Sequence, residues 1–211
     1  MASCYGNTGN KTGLDCEEIH KRCPYLPIER TIVLPEGPYE TILTVFTTEV
    51  DFEQGFELMN EVIIEGKTWP FDEVFKTMEA YKNYFHSHAA FAVKFKDQTQ
   101  FGTDILGCFY VKPNFPGRCS HVCNGGFITN KKYRGFKVGA FMGENFKRIA
   151  KDIGFRASLF NLVFASNESS VRLWKSLGYK ELAVIPKVAV LEGEKGLVDA
   201  YQFYCDFYEN E

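Results

Sequence analysis

Apolar and polar residues alternate with the periods of β-strands and α-helices in successive segments of the chain. Short β-branched and aromatic segments predict strands over residues 41–48, 89–95, 105–112, 121–130, 159–164, 180–188 and 198–207. Apolar residues at helical spacing predict helices over residues 51–65, 72–85, 136–153 and 168–177. This alternation predicts an α/β (α+β) domain with a mixed sheet and helices packed on it.

The third predicted helix has a clear apolar face. Its apolar residues recur at the spacing of a helix that lies on a sheet: Val138, Phe141, Met142, Phe146, Ile149, Ala150 and Ile153. In the first predicted helix, Asp51 is expected to be the N-cap and Gly66 the residue that ends it. These signals fix the approximate ends of the elements.

Residues 1–24 differ from the rest of the chain. They are mostly polar, with little apolar content, and predict an N-terminal extension outside the core, followed by a single domain over residues 25–211. The start of the chain has no basic segment followed by an apolar run, so we expect no secretory signal and a cytoplasmic location. No stretch approaches the roughly 18 apolar residues of a membrane span, so we expect no membrane partner.

The distribution of charge adds a candidate function. The 211 residues are 45% hydrophobic and 24% charged, with a net charge of −3, which argues against nucleic acid as a partner. Residues 131–156 nevertheless carry eight Lys or Arg and two Asp or Glu, a local net charge of +6 that leaves −9 elsewhere. The chain therefore has one basic segment suited to an anion.

Two motifs that suggest other chemistry are rejected. Gly66, Lys67 and Thr68 would need a glycine five residues earlier to form a phosphate loop, and Glu61 stands there. Cys119 and Cys123 lack a second pair of suitably spaced ligands for structural zinc. The seven cysteines are an odd number in a long chain, so we expect free thiols and no metal.

The basic segment contains the start of the third helix. Gly135 and Gly139 flank this start, where exposed backbone N–H groups can bind a pyrophosphate and glycine permits its close approach. A helix that merely begins with glycine and carries solvated lysines accounts for the same residues equally well. Both interpretations stay open on this segment alone.

A second motif follows about 25 residues later, where residues 167–179 read N-x-x-S-x-x-x-W-x-x-L-G-Y. Together with R-G-x-x-x-G-A at residues 134–140, it resembles the GNAT superfamily of acetyl-CoA-dependent N-acetyltransferases over about residues 40–205. One departure is Lys137, which replaces the middle glycine of the superfamily motif. The resemblance implies a GNAT fold: a central mixed, mostly antiparallel twisted sheet of about seven or eight strands with helices on both faces.

A narrower resemblance involves residues 107–127, GCFYVKPNFPGRCSHVCNGGF, with residues 66–70 and 160–164. These segments look like the fungal proline-analogue acetyltransferases, which act on azetidine-2-carboxylate and related cyclic imino acids. The resemblance implies a small amino or imino acid substrate, acetyl-CoA as co-substrate and a homodimer.

The resemblance also implies the residues that bind acetyl-CoA. The backbone N–H of Phe127 would stabilise the oxyanion, and the backbone groups of Thr129 would pair with the pantetheine arm. The N–H groups of residues 135–140 would bind the pyrophosphate. The implied acetyl-CoA contacts are Phe127, Ile128, Thr129, Arg134, Gly135, Phe136, Lys137, Val138, Gly139, Ala140, Asn167 and Trp174.

The implied catalytic groups are unusual for the superfamily. Many members have a tyrosine general acid where this chain has Trp174, whose indole N–H only donates hydrogen bonds. The subgroup implies instead that the amide of Asn167 hydrogen-bonds the thioester sulfur. As an alternative, Asn167 is a good helix N-cap, and one NH₂ group is not expected to serve both roles. The general base is left open between His121, Glu168 and a water relay.

The implied acceptor site contains Asn124, with the backbone N–H groups of Asn161 and Leu162 around the substrate carboxylate. The alternative for Asn124 is a structural role at a strand edge. The sequence is compatible with three functions: an N-acetyltransferase for a proline-like amine; the same chemistry on a polyamine, drug amine or protein N-terminus; and a non-catalytic module that binds acetyl-CoA.

Overall fold

The computed structural model describes residues 13–102 and 104–209. Eight strands form one sheet in the order β1-β2-β3-β4-β5-β6-β8-β7, and only the β5–β6 pair is parallel among its neighbours. The strands are β1 (Ile28–Leu34), β2 (Gly37–Val45), β3 (Ala89–Phe95), β4 (Ile105–Pro113), β5 (Val122–Thr129), β6 (Ala157–Phe164), β7 (Lys180–Ala189) and β8 (Val198–Asp206). The helices are α1 (Cys16–Arg22), α2 (Glu49–Glu65), α3 (Met78–Phe85), α4 (Gln98–Phe101), α5 (Val138–Asp152) and α6 (Glu168–Ser176).

Helices cover both faces of the sheet. Successive residues of a strand point to opposite faces, so alternate residues of β3 pack in different clusters. Phe91 and Val93 of β3 belong to the core cluster that contains Phe141 of α5. Ala90 and Ala92, one residue out of phase, belong to a second cluster with Met59 of α2 and other α2 and α3 residues. The predicted fold class, a mostly antiparallel sheet of seven or eight strands with helices on both faces, is confirmed.

The sheet opens between its two parallel strands. β5 and β6 pair only at Val122 with Ala157 and at Cys123 with Ser158. Beyond these residues the two strands diverge, while β5 continues to pair with β4 up to Thr129. The divergence leaves a gap in the middle of the sheet, where the functional site lies.

The N-terminal prediction is wrong for the part of it that the structure describes. Residues 16–22 form α1, whose N-cap Asp15 accepts a hydrogen bond from the backbone N–H of Glu18 at 2.8 Å. Ile19 is 3% exposed and Cys23 is fully buried, both in the α5-side core. Their i, i+4 spacing places both on one helical face, so a short apolar stripe is enough to dock this segment. Residues 1–12 lie outside the described residues, and the domain boundary stays a prediction.

Two helix starts also differ from the predictions. Thr48, not Asp51, is the N-cap of α2, and Asp51 is the third residue of a capping box with it. The Asp51 carboxylate also accepts two hydrogen bonds from Lys94, at 3.0 and 2.9 Å. α3 begins only at Met78, because Thr77 caps it through the N–H of Ala80. Gly66 does end α2, in the left-handed conformation at φ 66°.

β1 was not predicted, although it alternates exposed and more buried residues as an edge strand does. The sequence predicts no element between residues 95 and 105, where the short helix α4 lies. Among the described residues, no helix combines the length and apolar character needed to cross a bilayer.

Candidate active site

One cavity of about 850 Å³ follows the gap between β5 and β6. It extends from the start of α5 to the loop at residues 68–71 and the end of β4. All the residues predicted to bind acetyl-CoA line it except Phe136, whose side chain packs against the core instead. The predicted acceptor residues Asn124, Asn161 and Leu162 line the same cavity. The structure therefore brings the two predicted sets together.

The start of α5 forms one end of the cavity. Lys137 is its N-cap residue, and its side chain makes no capping hydrogen bond to the first N–H groups of α5. Lys137 lies in the left-handed region at φ 63°, and Gly135 has φ 87°. Lys137 therefore differs from the glycine of the superfamily motif only in its side chain, because its backbone adopts the conformation that glycine favours.

Arg134 is held at the same end by an ion pair. Its guanidinium binds Glu65 at the end of α2 in a bidentate pair, with N–O distances of 2.7 and 2.6 Å. Its Nε donates to the carbonyl oxygen of Thr129 at 3.3 Å. The guanidinium holds the pKa of Glu65 below its usual value. Arg134 therefore connects α2 to the loop that precedes α5.

The basic segment is less cationic in the structure than its sequence indicates. Besides Arg134, further cations of the segment face carboxylates: Lys132 with Asp104, Arg148 with Asp152, and Arg156 with Asp206. These pairs involve partly exposed groups and neutralise part of the local charge. The hydrogen-bonding geometry of the α5 start, more than the net charge of +6, makes this end suitable for an anion.

The backbone of β5 directs donors into the gap. The N–H of Asn130 donates to Leu106, and the N–H of Asn114 donates to Val122, at 3.0 and 2.8 Å. These bonds identify the hydrogen-bonded residue pairs of the β4–β5 ladder. In these pairs the backbone N–H groups of even-numbered β5 residues point towards β4. The N–H groups of Phe127 and Thr129 consequently point away from β4, towards the gap.

Two consecutive glycines let aromatic rings close over β5 on both faces. A Cβ atom on Gly126 would lie 2.5 Å from Trp69 Cη2 and from Tyr110 Cε1. A Cβ atom on Gly125 would lie 2.6 Å from Phe146 Cε2 on the opposite face. Any larger residue at either position would force a buried ring to move.

The far end of the cavity is aromatic. Trp69, Phe71, Tyr84 and Tyr110 line it, and the two tyrosine hydroxyls lie 3.2 Å apart. Lys112 lies between the tyrosines, with Nζ 3.6 Å from the Tyr84 ring centroid and 4.3 Å from that of Tyr110. Sequence reasoning missed Tyr84, Tyr110 and Lys112. The strict alternation of β4 places Tyr110 and Lys112 on one face and was the available signal.

β6 is irregular beside this aromatic end. Its pairing with β8 shifts register between Phe160 and Val163, which leaves Asn161 and Leu162 outside the β6–β8 ladder. The side chain of Asn161 bonds to Asn114, and Leu162 is 38% exposed. The amide of Asn124, across the gap, makes no hydrogen bond within the described part of the chain. These residues can therefore offer hydrogen bonds to a ligand.

Asn167 caps α6 with its oxygen. Oδ1 accepts from the N–H of Ser170 at 3.3 Å and from the hydroxyl of Ser169 at 3.0 Å. The cap uses the carbonyl oxygen and the predicted sulfur contact uses the NH₂ group, so the expected conflict between the two roles disappears. Trp174 Nε1 donates to Ser170 Oγ at 3.0 Å, and its ring packs against Phe160.

The candidate bases and metal ligands lie elsewhere. His121 is exposed, and Glu168 pairs with Arg172 at 2.8 Å; neither lines the cavity. Cys119 is exposed and Cys123 is buried, and neither forms a disulfide bond. Within residues 13–102 and 104–209, no three His, Cys, Asp or Glu side chains are grouped to hold a metal ion.

Comparison with known proteins agrees with this geometry. The model of the acetyltransferase (GNAT) family matches residues 56–179. The chain is 34% identical to N-acetyltransferase aca1 of Schizosaccharomyces pombe over 179 aligned residues. These residues are 80% of this chain and 81% of that protein. The chain therefore belongs to the acetyltransferase (GNAT) family and is an acyltransferase. Protein SPT10 of Saccharomyces cerevisiae is 32% identical over 108 residues, which are 51% of this chain and 17% of that protein.

Solved structures share the fold. A GCN5-related N-acetyltransferase from Kribbella flavida superposes with a TM-score of 0.70 at 23% identity, over 79% of this chain and 97% of that chain. The yncA structure from Salmonella typhimurium, solved with its cofactor acetyl-CoA, gives a TM-score of 0.67 at 13% identity, over 80% and 95% of the two chains. At these identities the likeness establishes the fold, which is that of a family that binds acetyl-CoA.

Proposed function

We propose that the chain is an acetyl-CoA-dependent N-acetyltransferase that transfers acetyl directly to the amine of a small proline-like imino acid. The observation that carries this proposal is the cavity of about 850 Å³. It contains both the start of α5 and the end formed by Asn124 and Asn161. Direct transfer needs both reactants in one site, where their proximity lowers the barrier.

The donor end has groups that suit acetyl-CoA. When bound, acetyl-CoA supplies an activated acetyl group and a thiolate leaving group. The N–H groups at the start of α5 suit its pyrophosphate. The N–H of Phe127 donates to the acetyl oxygen as negative charge develops there, and Asn167 Nδ2 donates to the sulfur. An amide donor stabilises charge but supplies no proton, so water protonates the thiolate.

The acceptor end suits an amino or imino acid. The amide of Asn124 and the backbone N–H groups of Asn161 and Leu162 donate to the substrate carboxylate. The described residues that line the cavity include no Asp or Glu, which argues against a polyamine or another polycationic acceptor. Because His121 and Glu168 lie outside the cavity, a water relay removes the proton from the amine.

An acceptor panel with a readout of free CoA thiol tests the proposal. We expect turnover with azetidine-2-carboxylate and cis-4-hydroxyproline, and little with spermidine or a peptide with a free N-terminus. Turnover confined to spermidine or the peptide would show a different acceptor class. A melting temperature raised by acetyl-CoA, without turnover on any acceptor, would show a non-catalytic binding module.

The resemblance further supports a cytoplasmic homodimer as the working form. Light scattering on the purified full chain tests the oligomeric state. A mass near 24.1 kDa at working concentration would contradict the dimer.

A further inference from the structure

The cationic side chains of the cavity are unevenly placed. Its described lining contains Lys112, Arg134, Lys137 and Arg172 and no carboxylate. Arg134 and Lys137 lie in the loop that precedes α5, and Arg172 lies on α6. All three are at the end suited to acetyl-CoA. Lys112 stands apart, at the end of β4. The acceptor end thus has one cation of its own.

Lys112 is the direct neighbour of Asn124. The two residues are Cα partners in the β4–β5 ladder, so their side chains leave the same face of the sheet, with Cβ atoms roughly 5 Å apart. Thr129 at the donor end lies five residues beyond Asn124, on the order of 17 Å along the strand. A group that binds Asn124 therefore lies on the same face of the sheet as Lys112, beside its position on β4.

The position of the ammonium is fixed by its surroundings. Nζ donates to the carbonyl oxygen of Tyr84 at 3.3 Å and lies against the rings of Tyr84 and Tyr110. Neither ring nor carbonyl oxygen carries a full negative charge, and these contacts orient the ammonium. In a partly enclosed aromatic site, such a charge attracts an anion more strongly than it would in water.

We propose that Lys112 is a specificity-determining residue that selects an acceptor with a carboxylate beside its amine, by pairing with that carboxylate next to Asn124. The same positive charge disfavours the protonated form of the acceptor amine, and only the neutral amine can attack. Lys112 therefore favours both the anionic acceptor and its reactive state. This inference rests on the proposed function.

The test compares two acceptors that differ in one charge, azetidine-2-carboxylate and azetidine-2-carboxamide. The selectivity is the ratio of their kcat/KM values, measured for the wild-type chain, Lys112→Met and Lys112→Arg. Methionine keeps most of the apolar stem and removes the charge. Lys96→Met is the matched control, because Lys96 is exposed, pairs with Glu29 and does not line the cavity.

We expect Lys112→Met to lower the selectivity for the carboxylate by roughly 10- to 100-fold, the loss expected for one hydrogen bond to a charged group. The loss results mainly from a higher KM for the carboxylate acceptor, while the KM for acetyl-CoA stays unchanged. Lys112→Arg retains part of the selectivity. An unchanged selectivity in Lys112→Met, or a wild-type preference for the carboxamide, overturns the assignment.

Calorimetric titration of both acceptors into the same proteins reads this selectivity without turnover. Wild-type binding that favours the carboxylate and loses this preference in Lys112→Met supports the role of Lys112, even if no acceptor is acetylated. In that case it is the proposed function that fails. Equal binding of the two acceptors by the wild-type chain, or binding of neither, overturns the assignment of Lys112.

Discussion

The side-chain amides of Asn114 and Asn161 hydrogen-bond to each other in both directions. Asn114 Nδ2 donates to Asn161 Oδ1 at 3.0 Å, and Asn161 Nδ2 donates to Asn114 Oδ1 at 2.6 Å. Asn114 directly follows β4 and is 5% exposed, while Asn161 lies at the register shift of β6. The pair thus joins the end of β4 to the irregular part of β6, beside the gap between β5 and β6.

This pair predicts that Asn114 positions the backbone donors of β6. Asn114→Asp replaces an N–H donor with a second oxygen that faces Asn161 Oδ1, and should cost about 1–3 kcal/mol of unfolding free energy. If the pair holds Asn161 and Leu162 in place, the KM for the acceptor rises about tenfold while the KM for acetyl-CoA does not change. Steady-state kinetics with each substrate varied in turn checks this.

The control for Asn114→Asp is Asn83→Asp, the same substitution at an exposed site on α3. A fall in stability without any change in the acceptor KM would show that the amide pair is purely structural.

Lys137 combines a cation with a backbone conformation unfavourable for it. A left-handed conformation costs about 1–2 kcal/mol for a residue with a Cβ atom, and Lys137 has φ 63°. Lys137→Gly and Lys137→Ala both remove the charge, but only glycine removes this cost. We expect the glycine variant to be more stable than the alanine variant by about 1 kcal/mol, and both to raise the KM for acetyl-CoA. Denaturant unfolding and kinetics measure the two effects; equal stability would contradict the backbone argument.

His86 predicts a loss of stability in mild acid. Burial, with a smaller effect of nearby Lys82, lowers its pKa to about 4, and its Nε2 lies 3.2 Å from the Tyr81 hydroxyl. In the unfolded chain a histidine has a pKa of about 6.5. Between these values the unfolded chain binds more protons, so its free energy falls relative to the folded state as the pH drops. We expect stability to decrease by up to about 3 kcal/mol from pH 6.5 to 4.

Urea unfolding at several pH values measures this dependence. His86→Gln removes the titrating ring and should flatten the curve in this range, whereas His20→Gln, at an exposed position, should leave it unchanged. A curve that keeps its slope in His86→Gln would assign the acid sensitivity to other groups.

Local patterns predicted the elements around the donor end well, because α5 and α6 each have a continuous apolar face and a clear stop. β3 was predicted with its observed bounds, since both of its faces are buried and all seven residues are apolar or aliphatic-stemmed. The acceptor end was not predicted in this way. Lys112, Tyr84 and Asn161 come from β4, α3 and β6, and they line one cavity only because the tertiary fold brings these elements together, which local periodicity does not encode.

Asn167 allows its two roles to be separated, because they use different atoms of one amide. Asn167→Ser keeps a side-chain oxygen for the cap of α6 but loses the NH₂ donor, whereas Asn167→Ala loses both. We expect both variants to lower kcat by roughly 100-fold or more, the loss expected for one donor to developing charge. Only the alanine variant should lose about 1 kcal/mol of stability. Thiol-release kinetics and thermal unfolding measure these effects, and a serine variant with wild-type kcat would leave Asn167 as a helix cap alone.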